Sequence, residues 1–548
     1  MFIDADNINI LLMLLPVLAY AEIHYRFRGL PSLLHKAEPE IILDCPRRLE
    51  PGKELPVSLI IKDADKYPVT IHSIEASPIS EDEEIKRVLK LISESFEVRD
   101  YLYHKVIPIK NDIIPKREFD LELKVKYSLT NELLEASSDN HTGTSHKPLR
   151  VFNSKEPWPR EPGWYTGDIH THSDATDDFV EFGAPIPLYA RNAASIGIDW
   201  VAVTDHSYDI DDEPGKCYAP DPDLKRWKNL AEKVKRVNGE SDIVFLLGEE
   251  VSCGSEENHN IHLIGLDIQK FIPGFGDSGE SWFHNRPNQT ANDVIQEIIA
   301  QGGFAIAAHP GECPAFLEKL LLNRGPWRYQ DLNNPNLRHF QVLNGRRTES
   351  FRDGLKQWIK ILLEGKKKFI VAGSDAHGNF NRLRQIKTPF LSMRESDHQI
   401  FGISRTIVFL GEQPLNKENL INALLGGNCV ISDGPFLNLY FQNSMGNRII
   451  PGNSIPNFAE SNFELYASLI SSEEFGDFER FVVYSGVNGV SNEDIFYERT
   501  EFKDKRRILL SDFNLEGEFT EHFHGYIRGE LTTDKGHICL TNPIWIQA

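Results

Sequence analysis

The sequence predicts an α/β chain in which a central region of helices and buried strands forms a parallel sheet or barrel between two flanking β-sandwiches. Three observations predict it: two-residue alternation of apolar side chains before residue 130, repeated helix-then-apolar-run units from 164 to 411, and a return to strand patterning in the last 137 residues, 412–548.

The chain starts with an apolar stretch, INILLMLLPVLAYA at 8–21, inside a first segment read as helical over 1–37. It is shorter than the ~20 residues of a membrane span, and Asp4 and Asp6 precede it where a signal peptide carries positive charge. It reads as a helix docked on the protein, with a membrane-associated segment as the alternative.

Residues 38–136 read as the N-terminal β-sandwich. In EFDLELKVKY, Phe119, Leu121, Leu123, Val125 and Tyr127 fall on one face, and Glu118, Asp120, Glu122, Lys124 and Lys126 on the other. LPVSLIIKDA and YPVTIHSIEA add two further strands. Residues 137–163, opening with the polar SSDNHTGTSHK, read as a linker.

From 164 the period changes. TANDVIQEIIAQGG carries a Thr290 cap, apolar Ala291, Val294, Ile295, Ile298 and Ile299 at helical spacing, and a terminating glycine pair; the apolar run FAIAAH follows directly. The same order recurs in PLYARNAASIG before IDWVAVTDH, DLKRWKNLAEKVKRV before IVFLLGEE, and SFRDGLKQWIKILLEG before FIVAGSDAH. Beyond 411 a last helix, NKENLINALLGG, leads to strand patterns such as FELYASLI and RFVVYSGV, the expected second sandwich.

Composition sets the outer bounds. A formal net charge of -22 repels phosphate backbones, so a nucleic-acid partner is not expected, and an anionic small-molecule substrate would need metals or arginines to hold it. The six cysteines include no CxxC pair, which fits free thiols in a reducing, cytoplasmic compartment better than a disulfide framework.

The chemistry gathers around GDIHTHSDATDD at 167–178. An HxH alone is weak, since the 19 histidines predict roughly 0.7 such matches by composition, and His522 and His524 form a second one without comparable company. What distinguishes His170 and His172 is that every buried strand of the central region ends in metal-ligand residues. Asp168, His170 and His172 end the first; Asp205 and His206, Glu249 and Glu250, His309, and Asp375 and His377 end the others. At the carboxyl ends of parallel strands these groups would converge on one mouth. So many imidazoles and carboxylates are costly to bury together without cations, and a His and carboxylate set lacking thiolates suits Zn, Mn or Fe.

GDIHTHSDATD, AVTDHS, GEEVS, NIHLIGL, AIAAHPGE and GSDAHG, in this order, resemble the successive motifs of the PHP (polymerase and histidinol phosphatase) metallohydrolases over about 164–379. WYTGDIHTH, NCVISDGPFL and LTNPIW are similar to its carbaryl-hydrolase-like branch. The resemblance implies a distorted (βα)7 TIM-like barrel over 164–411 holding two or three divalent metal ions. It implies a first metal on His170, His172, Glu250 and Asp375, and a second on Asp177, His206 and His377. A third would be held by His262 and His309 and bridged by Glu250, with Glu249 pointing away. Asp177 is preferred over Asp178, where some members carry histidine. Asp168 and Asp205 are expected to orient neighbouring imidazoles in the catalytic machinery, to which His377 also belongs.

The implied activity is that of a metal-dependent phosphoesterase, in which a metal-bridging hydroxide attacks phosphorus. Arg346 and Arg347, after HFQVL, either supply a planar fork for phosphate or form an exposed basic pair. Hydrolysis of a carbamate, ester or amide at the same centre is the alternative, and a non-catalytic binding protein on this scaffold the third.

Overall fold

The computed structural model describes residues 38–547 except 81–87, 131, 141–145, 178–182, 217–218, 278–284, 315, 383–386, 389–390, 393–396, 457, 459–461, 514 and 516–522. The apolar segment at 8–21 and the alternative ligand Asp178 lie outside the described residues. Among those described, no helix is long and apolar enough to cross a membrane.

The N-terminal region closes two sheets over one core. Glu40–Asp44, Leu55–Lys62 and Leu102–Ile109 form a three-stranded antiparallel sheet. The second sheet has seven strands and is built around Arg117–Leu129 and Val69–Ile79. The alternation read from EFDLELKVKY is the observed one, with Phe119, Leu121, Leu123, Val125 and Tyr127 buried beside Ile41, Leu59 and Ile107 of the facing sheet. One strand of this sandwich, Leu149–Asn153, comes from the stretch expected to be linker and pairs antiparallel with Arg117–Leu129.

The expected (βα)7 barrel is not what the central region forms. The described residues are 42% strand and 17% helix, and the central strands belong to a mixed sheet of 16 strands. Trp164–His172, Trp200–Val203 and Val244–Gly254 do run parallel, with the helices Ile186–Ile196 and Lys225–Glu240 between them. The alternation then breaks. Val244–Gly254 turns directly into Asn260–Leu266 as an antiparallel hairpin with no intervening helix, in the register Glu250↔Ile264 and Ser252↔His262. Phe304–Ala307 is antiparallel to that strand in turn, before His339–Asn344 and Phe369–Gly373 resume the parallel direction.

The sheet also does not stop at residue 411. Trp164–Gly167 pairs antiparallel with Thr406–Phe409, Arg405–Phe409 pairs with Cys429–Ser432, and that strand pairs with Ile538–Thr541. Hydrogen bonding thus runs unbroken from the ligand-bearing strands into the C-terminal region. There the tail of the long sheet packs against a four-stranded sheet containing Phe436–Asn443 and Phe463–Ile470, over a core that includes Phe436, Leu439, Leu469, Phe481 and Ile527. Cross-boundary pairing is satisfied by partners distant in sequence, and helical periodicity carries no information about it or about the local hairpin.

Candidate metal centre

The strand Trp164–His172 is buried along almost its whole length, and its alternation sets Asp168, His170 and His172 on one face. Asp168 does not reach the imidazoles. Its carboxylate accepts the main-chain amides of Ser374 at 2.8 Å, Gly402 at 3.1 Å and His170 at 3.3 Å, tying two loops to the strand. Burial raises its pKa to about 6 despite those donors. Asp205 plays the same part on the next strand, accepting Ser173 N at 2.6 Å, Thr176 N at 3.1 Å and Ser173 Oγ at 2.7 Å. Both were expected to orient imidazoles; they orient backbone instead, because main-chain donors of adjoining loops surround them.

The centre is built on Glu250. Its Oε1 lies 2.8 Å from His262 Nδ1 and 3.2 Å from His309 Nε2. Its Oε2 lies 3.0 Å from His206 Nδ1, 3.3 Å from His170 Nε2 and 3.4 Å from His172 Nε2. Asp375 Oδ1 closes the other side, 3.1 Å from His172 Nε2 and 3.5 Å from His170 Nε2. Its Oδ2 is held by Asn344 Nδ2 at 3.1 Å and Gln399 Nε2 at 2.8 Å. Stacked against His172, with ring centroids 3.9 Å apart, is His377. His309 and Asp375 adopt φ of 32° and 55°, a conformation costly for residues with a Cβ that only surrounding structure can impose. Gly373 is required beside them, since a Cβ there would stand 2.8 Å from both the amide nitrogen and Cβ of His170.

The protonation state of His170 follows from its neighbours. Gln341 Nε2 donates to Asn344 Oδ1 at 2.9 Å, so Gln341 Oε1 faces His170 Nδ1, at 2.9 Å, and requires its proton. Nε2 is then the nitrogen that faces the centre, where burial opposes a charge on the ring but Glu250 and Asp375 outweigh it and raise its pKa. Burial, reinforced by the neighbouring His377 and His206, holds His172 well below the usual imidazole range, which keeps that ring neutral. Burial opposes the charge of Glu250, but His262, His170 and His206 outweigh it and hold its carboxyl well below the usual range. His206 Nδ1 and Glu250 Oε2, both buried, make no hydrogen bond to any described residue although they lie 3.0 Å apart. A buried imidazole nitrogen and a buried carboxylate oxygen that approach without a hydrogen bond, with further imidazoles around them, make a donor set that fits divalent metal.

Three groups of donors lie within 4.8 Å of one another: His170, His172, Glu250 and Asp375; His172, His206 and His377; and His206, Glu250 and His262. The first is the expected first-metal set. In the second, His172 stands where Asp177 was expected. The carboxylate of Asp177 is instead buried against Lys62 Nζ and the Tyr101 hydroxyl, both from the N-terminal sandwich. A buried ammonium needs a counter-charge, and Asp177 supplies one in direct contact with it. The third group pairs Glu250 and His262 as expected, and His309 meets the same carboxylate oxygen as His262. Glu249 points away and accepts Ile272 N at 3.1 Å.

Of the two arginines, Arg346 lines an open cavity of about 370 Å³ beside His309, and pairs with Asp397 at 2.5 Å. Arg347 turns away from it, donating to Gly536 O and facing Asp433 at 3.6 Å in the C-terminal region.

Sequence reasoning missed several residues that hold the centre. Gln341 is a buried amide between Phe340 and Val342 in the strand HFQVL, a signal that could have been followed. Glu312, 2.7 Å from His309 Nδ1, stands inside AIAAHPGE. Asp277 is 2.7 Å from both His262 Nε2 and Arg324 Nε, and comes from an irregular loop whose composition marks nothing.

No protein-family model matches the chain. Among solved structures it is similar to the sporulation control protein Spo0M of Bacillus subtilis, at 15% identity over 22% of this chain and 50% of that one, with a TM-score of 0.15. It is also similar to the β-glucuronidase of Parabacteroides merdae, at 11% identity over 93% of this chain and 65% of that one, TM-score 0.20. A glycosyl hydrolase family 2 member of Bacteroides cellulosilyticus matches at 10% identity, over 93% and 63% of the respective chains, TM-score 0.15. The chain thus spans between half and two thirds of the length of each, and none of these likenesses assigns it a reaction.

Proposed function

We propose that the chain is a metal-dependent hydrolase whose preferred substrates are phosphate mono- or diesters. The observation that carries this reading is the convergence of His170, His172, His206, His262 and His309 on the two oxygens of Glu250, with Asp375 facing them. Zn, Mn or Fe suits this donor set, and none of the free cysteines Cys45, Cys253, Cys313, Cys429 and Cys539 belongs to a ligand group. Bound cations would supply the charge that acidifies water and offsets negative charge growing on an attacked phosphoryl group.

The chain's own residues do the rest. Gln341 fixes the tautomer of His170, and Glu312 does the same for His309 by taking its Nδ1 proton. Asn344 and Gln399 hold one oxygen of Asp375 so that the other faces the centre. Arg346 brings a permanent positive charge to the adjoining cavity, where an anionic substrate would otherwise meet Glu312 and a strongly acidic chain. Carbamate or ester hydrolysis is the second reading, favoured by the flanking motifs WYTGDIHTH, NCVISDGPFL and LTNPIW and by the apolar Val342 and Phe351 in the cavity wall.

The test is nitrophenol release from matched monophosphate, phosphodiester, acetate and N-methylcarbamate substrates, with metal-reconstituted protein and a chelated control. Chelator-sensitive turnover of a phosphate ester is expected, and Asp375→Ala should abolish it without unfolding the chain. Turnover of the acetate or carbamate alone would replace this reading by the second.

A further inference from the structure

The cavity beside the centre can be read further. It shares His309 with the centre, and Asn344 and Gln399 in its wall are the residues that hold Asp375. A substrate with its scissile group at the centre therefore places another part of itself here.

The wall is arranged for negative charge. Glu312, its carboxylate, is committed to His309. Arg346 pairs with Asp397, but Asp397 is shared with Arg47 at 3.0 Å, so two guanidiniums stand against one carboxylate. Arg346 Nε is buried and has no hydrogen-bond partner among the described residues, a donor that lacks an acceptor. Thr348 and Ser350 also line the cavity, at the start of the 15-residue helix Glu349–Leu363, and the Thr348 side chain does not cap that helix. Val342 and Phe351 add apolar surface to the same wall, and a volume of about 370 Å³ admits a ring-sized fragment.

We propose that this cavity is a subsite for a second oxyanion, a carboxylate or phosphate carried on a ring-sized arm of the substrate, with Arg346 as its specificity-determining residue. The substrate class is then an ester bearing an anionic group remote from the bond that is cleaved. The proposal rests on the hydrolase reading for the scissile half of the substrate, while the binding half stands on the cavity alone.

Calorimetry on the metal-loaded full chain tests it with phenylphosphonate, 4-carboxyphenylphosphonate and benzene-1,4-diphosphonate. The expected result is a gain in affinity of about tenfold or more for one or both doubly anionic compounds over phenylphosphonate, erased in Arg346→Gln. Whichever compound gains names the oxyanion. Ser350→Asp leaves the Arg346–Asp397 pair in place and puts a negative charge in the wall, so it should erase the gain even if Arg346→Gln folds poorly. Absence of the gain in the unmodified chain, absence of binding by all three compounds, or a gain that survives both substitutions would overturn the subsite. Selective binding together with no chelator-sensitive turnover of phenyl phosphate or 4-carboxyphenyl phosphate would leave the subsite standing and remove the phosphoesterase reading.

Discussion

The Nε2 atoms of His170 and His172 stand 3.1 Å apart at the end of one strand, and the proton of the His170 ring is committed to Gln341 on its far side. Both Nε2 atoms face the carboxylates of Glu250 and Asp375, and Gln341 is what orients the first ring so that its Nε2 does so. Gln341→Leu should therefore lower metal affinity by about 10- to 100-fold while leaving the fold intact, read by metal content after dialysis against buffered metal and by circular dichroism. Unchanged metal content would show that the tautomer is set by the metal alone.

Glu250 is approached by five imidazoles and belongs to two of the three donor groups, so its removal should affect more than one metal position. Glu250→Gln should reduce bound metal by more than the ~100-fold upper range of an outer partner, because a neutral amide cannot bridge cations. Elemental analysis of the purified variant checks it, and a variant retaining two metals per chain would mean that the carboxylate is dispensable.

Metal should also stabilise the chain. At free metal near 1,000 times Kd, a site present only in the folded state adds about 4 kcal/mol. Thermal scans with metal, and after chelation, should therefore differ in midpoint, and the difference should vanish in Glu250→Gln.

Lys62 and Asp177 form a buried ion pair between the N-terminal sandwich and the loop after His172, with side chains 2% and 8% exposed. Removing one partner leaves an uncompensated charge, at a cost of about 3–5 kcal/mol. Lys62→Met should destabilise the chain by that amount in urea, and Lys62→Met combined with Asp177→Asn should recover much of it. Equal loss in the single and double variants would indicate that packing, not charge, holds the junction.

His339, at the far end of its strand from the centre, is buried with Nε2 on Leu424 O at 2.9 Å, and burial lowers its pKa to about 4. The unfolded chain takes up this proton near the ordinary value of 6.5 and the folded chain only near 4, so the neutral ring favours the fold above 6.5. Stability is then lost as the pH falls from 6.5 to 4, by about 3 kcal/mol at roughly 1.4 kcal/mol per pKa unit. Denaturation midpoints of the unmodified chain and of His339→Gln across this interval should diverge at high pH and converge at low pH; parallel curves would remove His339 as a contributor.

Much of the site was legible in the chain because a strand places alternate residues on one face: His170 and His172 could be paired from spacing, while the choice of Glu250 over Glu249 came from the family resemblance, alternation adding only that the two point opposite ways. Alternation likewise identified the inward face of Arg117–Leu129. The reading failed where the deciding partner is remote. Asp177 carries the residue type of a ligand, but Lys62, 115 positions earlier, neutralises it. Arg346 and Arg347 are adjacent and alike, yet one lines the cavity and the other reaches a carbonyl 189 positions on.

The sequence by itself determined which strands are buried, which residues stand at their ends, and that those residues have the chemistry of metal ligands. Each of these depends on a period of two or 3.6 residues and on side-chain identity, both of which are local. Only the tertiary structure decided that the strands form one long mixed sheet and not a (βα)7 barrel, that Asp168 and Asp205 bind backbone, and which acid faces a cation already supplied by the protein. Strand direction, counter-ions and second hydrogen-bond partners are chosen among groups that adjoin only in the folded chain, where burial makes each unsatisfied donor or charge costly and no periodicity records the choice.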